Sequence, residues 1–346
     1  MSAKVGALDT AIDINFMKVK IEELKNLTNK AILKYGYDEK EAEAIREVLL
    51  YAQFRGNNQG IVKLIGSGIP KPPDAGEIEV EKETKLSVLL NGHKNHAMVV
   101  VNKATDAAVH KAKEHGVGLV GVNHINTSSG AIGYYAKKIA QQGLIGFVFA
   151  ASSERVAAEG SFEPVFGTNP LAIGVPTENS PLVLDMATAA VAYYGVIEAS
   201  TAGRSLPEGI AYDKEGNSTT DPAKALDGAL RTFDKGHRGA GLSMMVQVLA
   251  GPLVGASFTG IGDVANNWGG HLVLAIDPEL LGGSQALQRG VSQMVAKVKS
   301  TKRLPGVKDI LVPGERGDKI TQQVLEAGEL EIEDNLYHQL IKVSEK

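Results

Sequence analysis

The sequence has no cysteine among its 346 residues. Disulfides, thiolate metal centres and a cysteine nucleophile are excluded, and the composition suits a reducing compartment. Long apolar runs are missing as well: the longest, such as LIGFVFAA from Leu144 to Ala151, are strand-sized and far too short to span a bilayer. The first 20 residues hold no continuous apolar core with a small-residue cleavage site, and the final VSEK carries no lipidation or retention signal. A cytoplasmic protein with no membrane partner is therefore expected. Charge of one sign is also scarce. With 36 basic and 40 acidic residues the net charge is −4, which gives no footprint for nucleic acid. There is no HExxH or comparable ligand spacing; His93, His96, His110 and His115 read as cap or surface residues, so no metal is expected. Internal repeats and low-complexity segments are absent.

What is present is an ordinary globular composition, 43% hydrophobic and 22% charged, on a length that suits one large domain or two interleaved ones. After a loose tail of about a dozen residues, the spacing of Met17, Ile21, Leu24, Leu27 and Ile32 predicts a helix over Phe16 to Tyr35. Asp38 caps a second helix, Glu39 to Phe54. Short apolar runs then alternate with helices. LSVLL, VGLVGV, LIGFVFAA, LAIGV, LVLDM and HLVLAI read as strands. Ala97 to His115, Ala131 to Gln142, Leu242 to Val254, Ser284 to Lys299, Asp318 to Ala327 and Asp334 to Val343 read as helices. The pattern is that of an α/β protein with a substantially buried sheet.

Gly116-Val-Gly118-Leu-Val-Gly121 is formally GxGxxG, but it follows a helix and enters a strand. A dinucleotide loop needs the reverse order, so that the pyrophosphate meets a helix N-terminus. The segment is read instead as a helix C-cap followed by a close-packed strand start. His124 opens a loop directly after a strand, where it is either structural or an acid/base near neutral pH. Gly236-His-Arg-Gly-Ala-Gly241 opens a helix. Its amides and Arg238 are either an anion site or a tight helix start with a solvated arginine.

Several segments in chain order resemble the malate/L-lactate dehydrogenase family of the non-Rossmann kind. They are Arg55-Gly56, SSGAIGYYAKKIAQQGLIGFVFAAS, FGTNPLAIGVP, LVLDMAT, LPEGIAYDKEGNSTTDP, GHRGAGLSMMVQVLAGPLVG and VPGE, and they run from about Arg55 to Glu315. The resemblance implies a mixed α/β sheet with helices. A nicotinamide-binding domain of non-Rossmann topology would span residues 116–289, with a helical and mixed domain built from both termini, residues 1–115 and 290–346. It also implies a homodimer, NADH or NADPH as cofactor, and a small substrate bearing a carboxylate. Cofactor contacts carry over onto Ser152, onto Asp185, Met186 and Ala187, onto Arg238 in place of a lysine, and onto Gly314, Glu315 and Arg316.

The departures from the family pattern fall around one site. The family's acid/base histidine corresponds to Ser128, and the histidine of its RGxxSHG segment to Gln59 in a shortened loop after Arg55. Later glycines of its DGxxGxG segment correspond to Asn95 and Ala97, and a lysine after DMAT to Gly195. Serine and glutamine do not titrate near pH 7. The expected function is thus NAD(P)H-dependent reduction of a small imino or 2-oxo acid with altered acid/base chemistry, Arg55 holding the carboxylate. Either the substrate arrives already activated, as an iminium does, and needs less acid help, or His124 or His96 supplies the proton. The alternative is a non-redox enzyme or binding protein on the same scaffold. Between the two coenzymes, Arg155 would favour a 2′-phosphate and Glu154 a 2′-hydroxyl.

Overall fold

The computed structural model describes residues 15–345, except 58, 202, 264–266 and 268. The expected tail lies outside these residues. A seven-stranded mixed sheet organises the chain. Its strands, in spatial order, are Glu79–Glu83, Ser87–Asn91, Val117–Asn123, His271–Ile276, Ile145–Ala150, Leu171–Val175 and Leu182–Met186. Only Ser87–Asn91 and Val117–Asn123 run parallel; the other neighbours are antiparallel. That is the mixed sheet expected, and it is not a doubly wound parallel one. The hairpin Glu79–Asn91 belongs to the same sheet as the strands beyond residue 116, so the sheet crosses the boundary suggested by the sequence.

The helices Ala97–His115 and Gly133–Ala140 pack on one face, with Ile21–Lys34 and Glu39–Phe54 beyond them; Ile45, Leu49, Met98, Val120 and Ile139 sit fully buried between. The helix His237–Ala250 and the turn Pro252–Val254 cover the other face over Leu272, Leu119 and Phe149. A smaller four-stranded sheet, built from strands of two and three residues, carries its own core around Val156, Phe166, Val196 and Ile210.

Local chemistry sets the boundaries. Asp38 accepts from the amide of Glu41 and Glu41 returns a bond to the amide of Asp38, a capping box that starts Glu39–Phe54. Gly116 closes Ala97–His115 with φ 85°, the left-handed C-cap that glycine adopts without strain. A Cβ on Gly118 would stand 2.0 Å from the carbonyl oxygen of Ala108. The glycines of the formal GxGxxG therefore serve a helix stop and a close helix–sheet approach, as read from their order. One expectation changes: Phe16–Lys20 is a strand paired antiparallel with Glu329–Glu333, and the first helix starts only at Ile21.

Gly118→Ala should lower stability by roughly 3 kcal/mol through overpacking against the helix backbone. Asp38→Ala should lose only the cap, about 1 kcal/mol. Urea unfolding of both variants checks the order; equal losses would mean that the helix and sheet can separate freely at Gly118.

Candidate active site

One row of residues runs across the sheet: Leu90 beside Val122, Val122 beside His271, His271 beside Ala150, and Phe149 beside Leu171 beside Met186. Because these positions are in register, the loops leaving the strands emerge at one edge. They frame a cavity of about 530 Å³, a size typical of small-ligand sites. A second cavity of about 650 Å³ adjoins it and shares Asn57, Asp185 and Ala192.

The first cavity gathers polar groups from distant parts of the chain. His96 caps Ala97–His115, its Nδ1 accepting from the amide of Met98 at 3.1 Å. Since Nδ1 accepts, the ring proton is assigned to Nε2, which is buried with no protein partner among the described residues. Bonds between Ala97 and Asn126, and between Asn126 and Asn95, tie the cap to the loop that carries Ser128. In that loop Thr127 (φ 66°) and Gly130 (φ 73°) are left-handed, and a Cβ on Gly130 would strike Val48 at 2.6 Å. His271, on the sheet, meets the Ser129 hydroxyl through Nε2 at 2.8 Å, and the Tyr135 hydroxyl donates to the Ser129 carbonyl.

Lys63 enters from the short turn after Glu39–Phe54. Ile61 and Leu64 on either side are fully buried and pin the turn, leaving Lys63 only 4% exposed. Its Nζ lies 3.3 Å from Ser128 Oγ and 3.7 Å from the centroid of the Tyr194 ring. Burial pushes this amine down to about 7 from the usual 10.5. His96 and His271 are held at about 3, both by burial and His96 also by the charge of Lys63.

The second cavity holds a charged clamp. Arg55 pairs with Asp318, donates to the carbonyl of Gly314 at 2.7 Å and lies over the Tyr51 ring at 4.9 Å; Lys137 reaches Asp318 at 3.0 Å. The clamp fastens the start of the helix Glu315–Ala327 to the end of Glu39–Phe54. Asp185 lies between the cavities. Its carboxyl is raised by burial, against the amide of Gly133 at 2.9 Å and the charge of Arg55.

The structure brings Gln59, Ser128, Ser152, Asp185, Met186 and Ala187 to the first cavity, and Arg55, Gly314, Arg316 and again Asp185 to the second. Three expected site residues lie elsewhere. His124 lines neither cavity; its Nδ1 faces Asn123 Oδ1 at 2.8 Å and its amide donates to Asn267. Glu315 pairs with Lys299 and Lys319. Arg238 is exposed, and at its helix start the amide of Gly236 already donates to Asp234 at 3.0 Å, so the protein's own carboxylate occupies the position considered for an anion. Lys63, His271 and Tyr194 were not anticipated. The signal for Lys63 is a single charge inside the apolar run Ile61-Val-Lys63-Leu-Ile65. Among the described residues no cluster of three His, Asp or Glu could hold a metal, and no helix is long and apolar enough to cross a membrane.

The sequence model of malate/L-lactate dehydrogenase matches residues 19–341. Malate/(S)-sulfolactate dehydrogenase of Methanothermus fervidus is 35% identical over 95% of this chain and 98% of its own length. Delta(1)-pyrroline-2-carboxylate reductase 1 of Burkholderia ambifaria is 30% identical over 83% of this chain and 88% of its own. The solved structure of sulfolactate dehydrogenase from Methanocaldococcus jannaschii superposes with a TM-score of 0.82 at 32% identity, covering 95% of this chain and 97% of that one.

The two buried imidazoles give a pH test. Unfolded, each takes up a proton near pH 6.5; folded, neither does until about 3. Stability therefore falls as pH drops below 6.5, with a slope of up to about 2.7 kcal/mol per unit from the pair. His271→Gln, which can still reach Ser129, should lose roughly 2 kcal/mol less than wild type between pH 6.5 and 5 in urea titrations. A variant as steep as wild type would show that His271 already carries its proton in the fold.

Proposed function

The chain belongs to the malate/L-lactate dehydrogenase family, and from that premise we propose that it reduces a small imino or 2-oxo acid with hydride from NADH or NADPH. The observation that carries this reading is the pair of adjoining cavities. Ser152, Asp185, Met186 and Ala187 line the first, and Gly314 and Arg316, with Asp185, line the second. These are positions onto which the family's cofactor contacts carry over. Relatives that act on a hydroxy acid and on a cyclic imino acid support both substrate types.

The residues present fit such a group. Small side chains at Gly130, Ala131, Ala150, Ala151, Ser152 and Ala187 leave a slot. The buried Nε2 of His96 and Oγ1 of Thr127 lack protein partners among the described residues and face chemistry that a ligand would satisfy. A bound nicotinamide supplies the hydride. The chain's own part is to orient, exclude water and handle the proton. Arg55 organises Gly314 and the helix beyond it rather than waiting for a carboxylate, since Asp318 already engages it. Arg155, over the Tyr193 ring at 4.7 Å in the first cavity, is the cation assigned to an anionic group of the ligand.

The protein is proposed to be a homodimer. Met244, Met245 and Val248 on His237–Ala250, with Leu253, and Met294 and Val298 on Ser284–Lys299 are exposed apolar side chains that a second copy would cover.

Titration with NADH and NADPH, followed by nicotinamide fluorescence, should give micromolar binding of one of them. Adding Δ1-pyrroline-2-carboxylate or a 2-oxo acid should then oxidise the bound coenzyme. Binding of neither would contradict a redox role and favour a different ligand in the cleft. Light scattering should give twice the 36.5 kDa chain mass; a single mass with Met244 and Met245 still exposed would contradict the dimer.

A further inference from the structure

Resting on the reductase reading, we propose that Lys63 is the proton source of this site and that it acts through the hydroxyl of Ser128, the residue standing where the family carries its histidine. Ser128 Oγ accepts twice: from Lys63 Nζ at 3.3 Å and from the amide of Gly130 at 3.2 Å. A hydroxyl has two acceptor sites and one hydrogen. With both acceptor sites filled by N–H groups, its hydrogen is left to donate into the cavity that Ser128 lines. The Tyr194 ring, 3.7 Å from Nζ, braces the ammonium from another side.

Burial makes the amine labile. Among the described residues no carboxylate offsets it, and desolvation brings it to about 7, where an acid can both give and regain a proton. The titratable groups that line the cavity with it are His96 on the helix cap, Tyr193 and Tyr194 at the start of the helix Tyr193–Thr201, and Asp185, Arg155 and His271. Tyr194 is raised by burial, and both imidazoles are neutral at pH 7. Lys63, held at about 7, can thus change charge near neutrality where the two imidazoles do not.

The step balances for a 2-oxo acid. As hydride reaches the carbonyl carbon, the π pair moves to oxygen. The Ser128 O–H bond breaks and a bond to that oxygen forms. A Lys63 Nζ–H bond breaks to restore the serine hydroxyl, and the neutral amine regains its proton from water. His96 Nε2–H, buried and without a protein partner among the described residues, holds the same oxygen. The product is the 2-hydroxy acid, and the coenzyme leaves oxidised.

The test compares wild type with Lys63→Met, Lys63→Arg and Ser128→Ala. All three should still bind the coenzyme in the micromolar range by fluorescence titration, which separates this proposal from the reductase reading; loss of coenzyme binding in wild type itself would end both. In wild type, kcat/KM for reduction should fall as pH rises through about 7. Lys63→Met and Lys63→Arg should drop by ~100-fold or more and lose that limb, and Ser128→Ala should drop comparably. A second readout needs no turnover. In the free protein the native state holds Lys63 at about 7 and the unfolded chain at 10.5, so stability rises with pH between these values. Lys63→Met should thus be more stable than wild type at pH 6.5, with the difference shrinking toward pH 10. Retained activity with the pH limb intact in Lys63→Met would overturn the proposal. So would borohydride trapping of the oxo acid on Lys63, which would make the amine a nucleophile.

Discussion

The hydrogen-bond register of the central sheet is the constraint from which the site follows. With His271 held beside both Val122 and Ala150, the ends of Ser87–Asn91, Val117–Asn123, Ile145–Ala150 and Leu182–Met186 open on the same edge. A slip of one residue along His271–Ile276 would turn its side chains to the opposite faces and carry the His271 ring away from Ser129. Close-packed glycines secure the layers around this register. Cβ atoms at Gly118, Gly146 and Gly174 would stand 2.0, 2.7 and 2.2 Å from the helices above them. The parallel pair Ser87–Asn91 and Val117–Asn123 leads into two segments that line the first cavity and hold buried atoms without a protein partner among the described residues, His96 Nε2 in the helix cap and Thr127 Oγ1 in the Ser128 loop. Ligand sites at the carboxyl ends of parallel strands are a general feature of α/β sheets.

Around that edge the protein carries costs that folding alone would not select. An amine, two imidazoles and a threonine hydroxyl are withdrawn from water with incomplete partners, and each such group is worth stability if replaced by an apolar one. Backbone strain gathers beside them, at His93, Lys94, His124 and Thr127. The clamp at Arg55 is the counterpart. Asp318, Gly314 and Tyr51 satisfy it, Lys137 shares Asp318, and the clamp holds the helix Glu315–Ala327 beside the cleft. One half of the cleft is held by the Arg55–Asp318 pair, while the other keeps buried polar groups that a ligand would satisfy.

The strong elements were legible in the sequence because their patterns are local. Ala97–His115, Leu171–Val175, Leu182–Met186, His271–Ile276 and Ser284–Lys299 fall where periodicity and glycine stops place them. What escaped depends on distant partners. FMKVK reads as helix because Met17 and Ile21 share a helical face, yet Glu329–Glu333 captures it as a strand. EVEKE shows no buried face at all, being a fully exposed edge strand. At the site, Ser152 and Asp185 were reachable through motif resemblance. Lys63 was not, since lysine is a surface residue by default; only the fold reveals that Leu64, Tyr194 and Ser128 enclose it. His124 misled for the converse reason. A histidine at a strand end looks poised, but the left-handed backbone there (φ 47°) sets it beside Asn123 and outside the cavity lining.

A buried lysine is thus held against Ser128, the position onto which the resemblance carries the family's histidine. Whether this lysine really titrates near neutrality is the point on which the account turns, and it can be measured without substrate or coenzyme. Selective 15N labelling of lysine, with Lys63 assigned by its absence in Lys63→Met, allows the Nζ resonance to be followed from pH 5 to 11. A midpoint near 7 is the result predicted; a midpoint above 10, the range of an ordinary solvated lysine, would contradict the account.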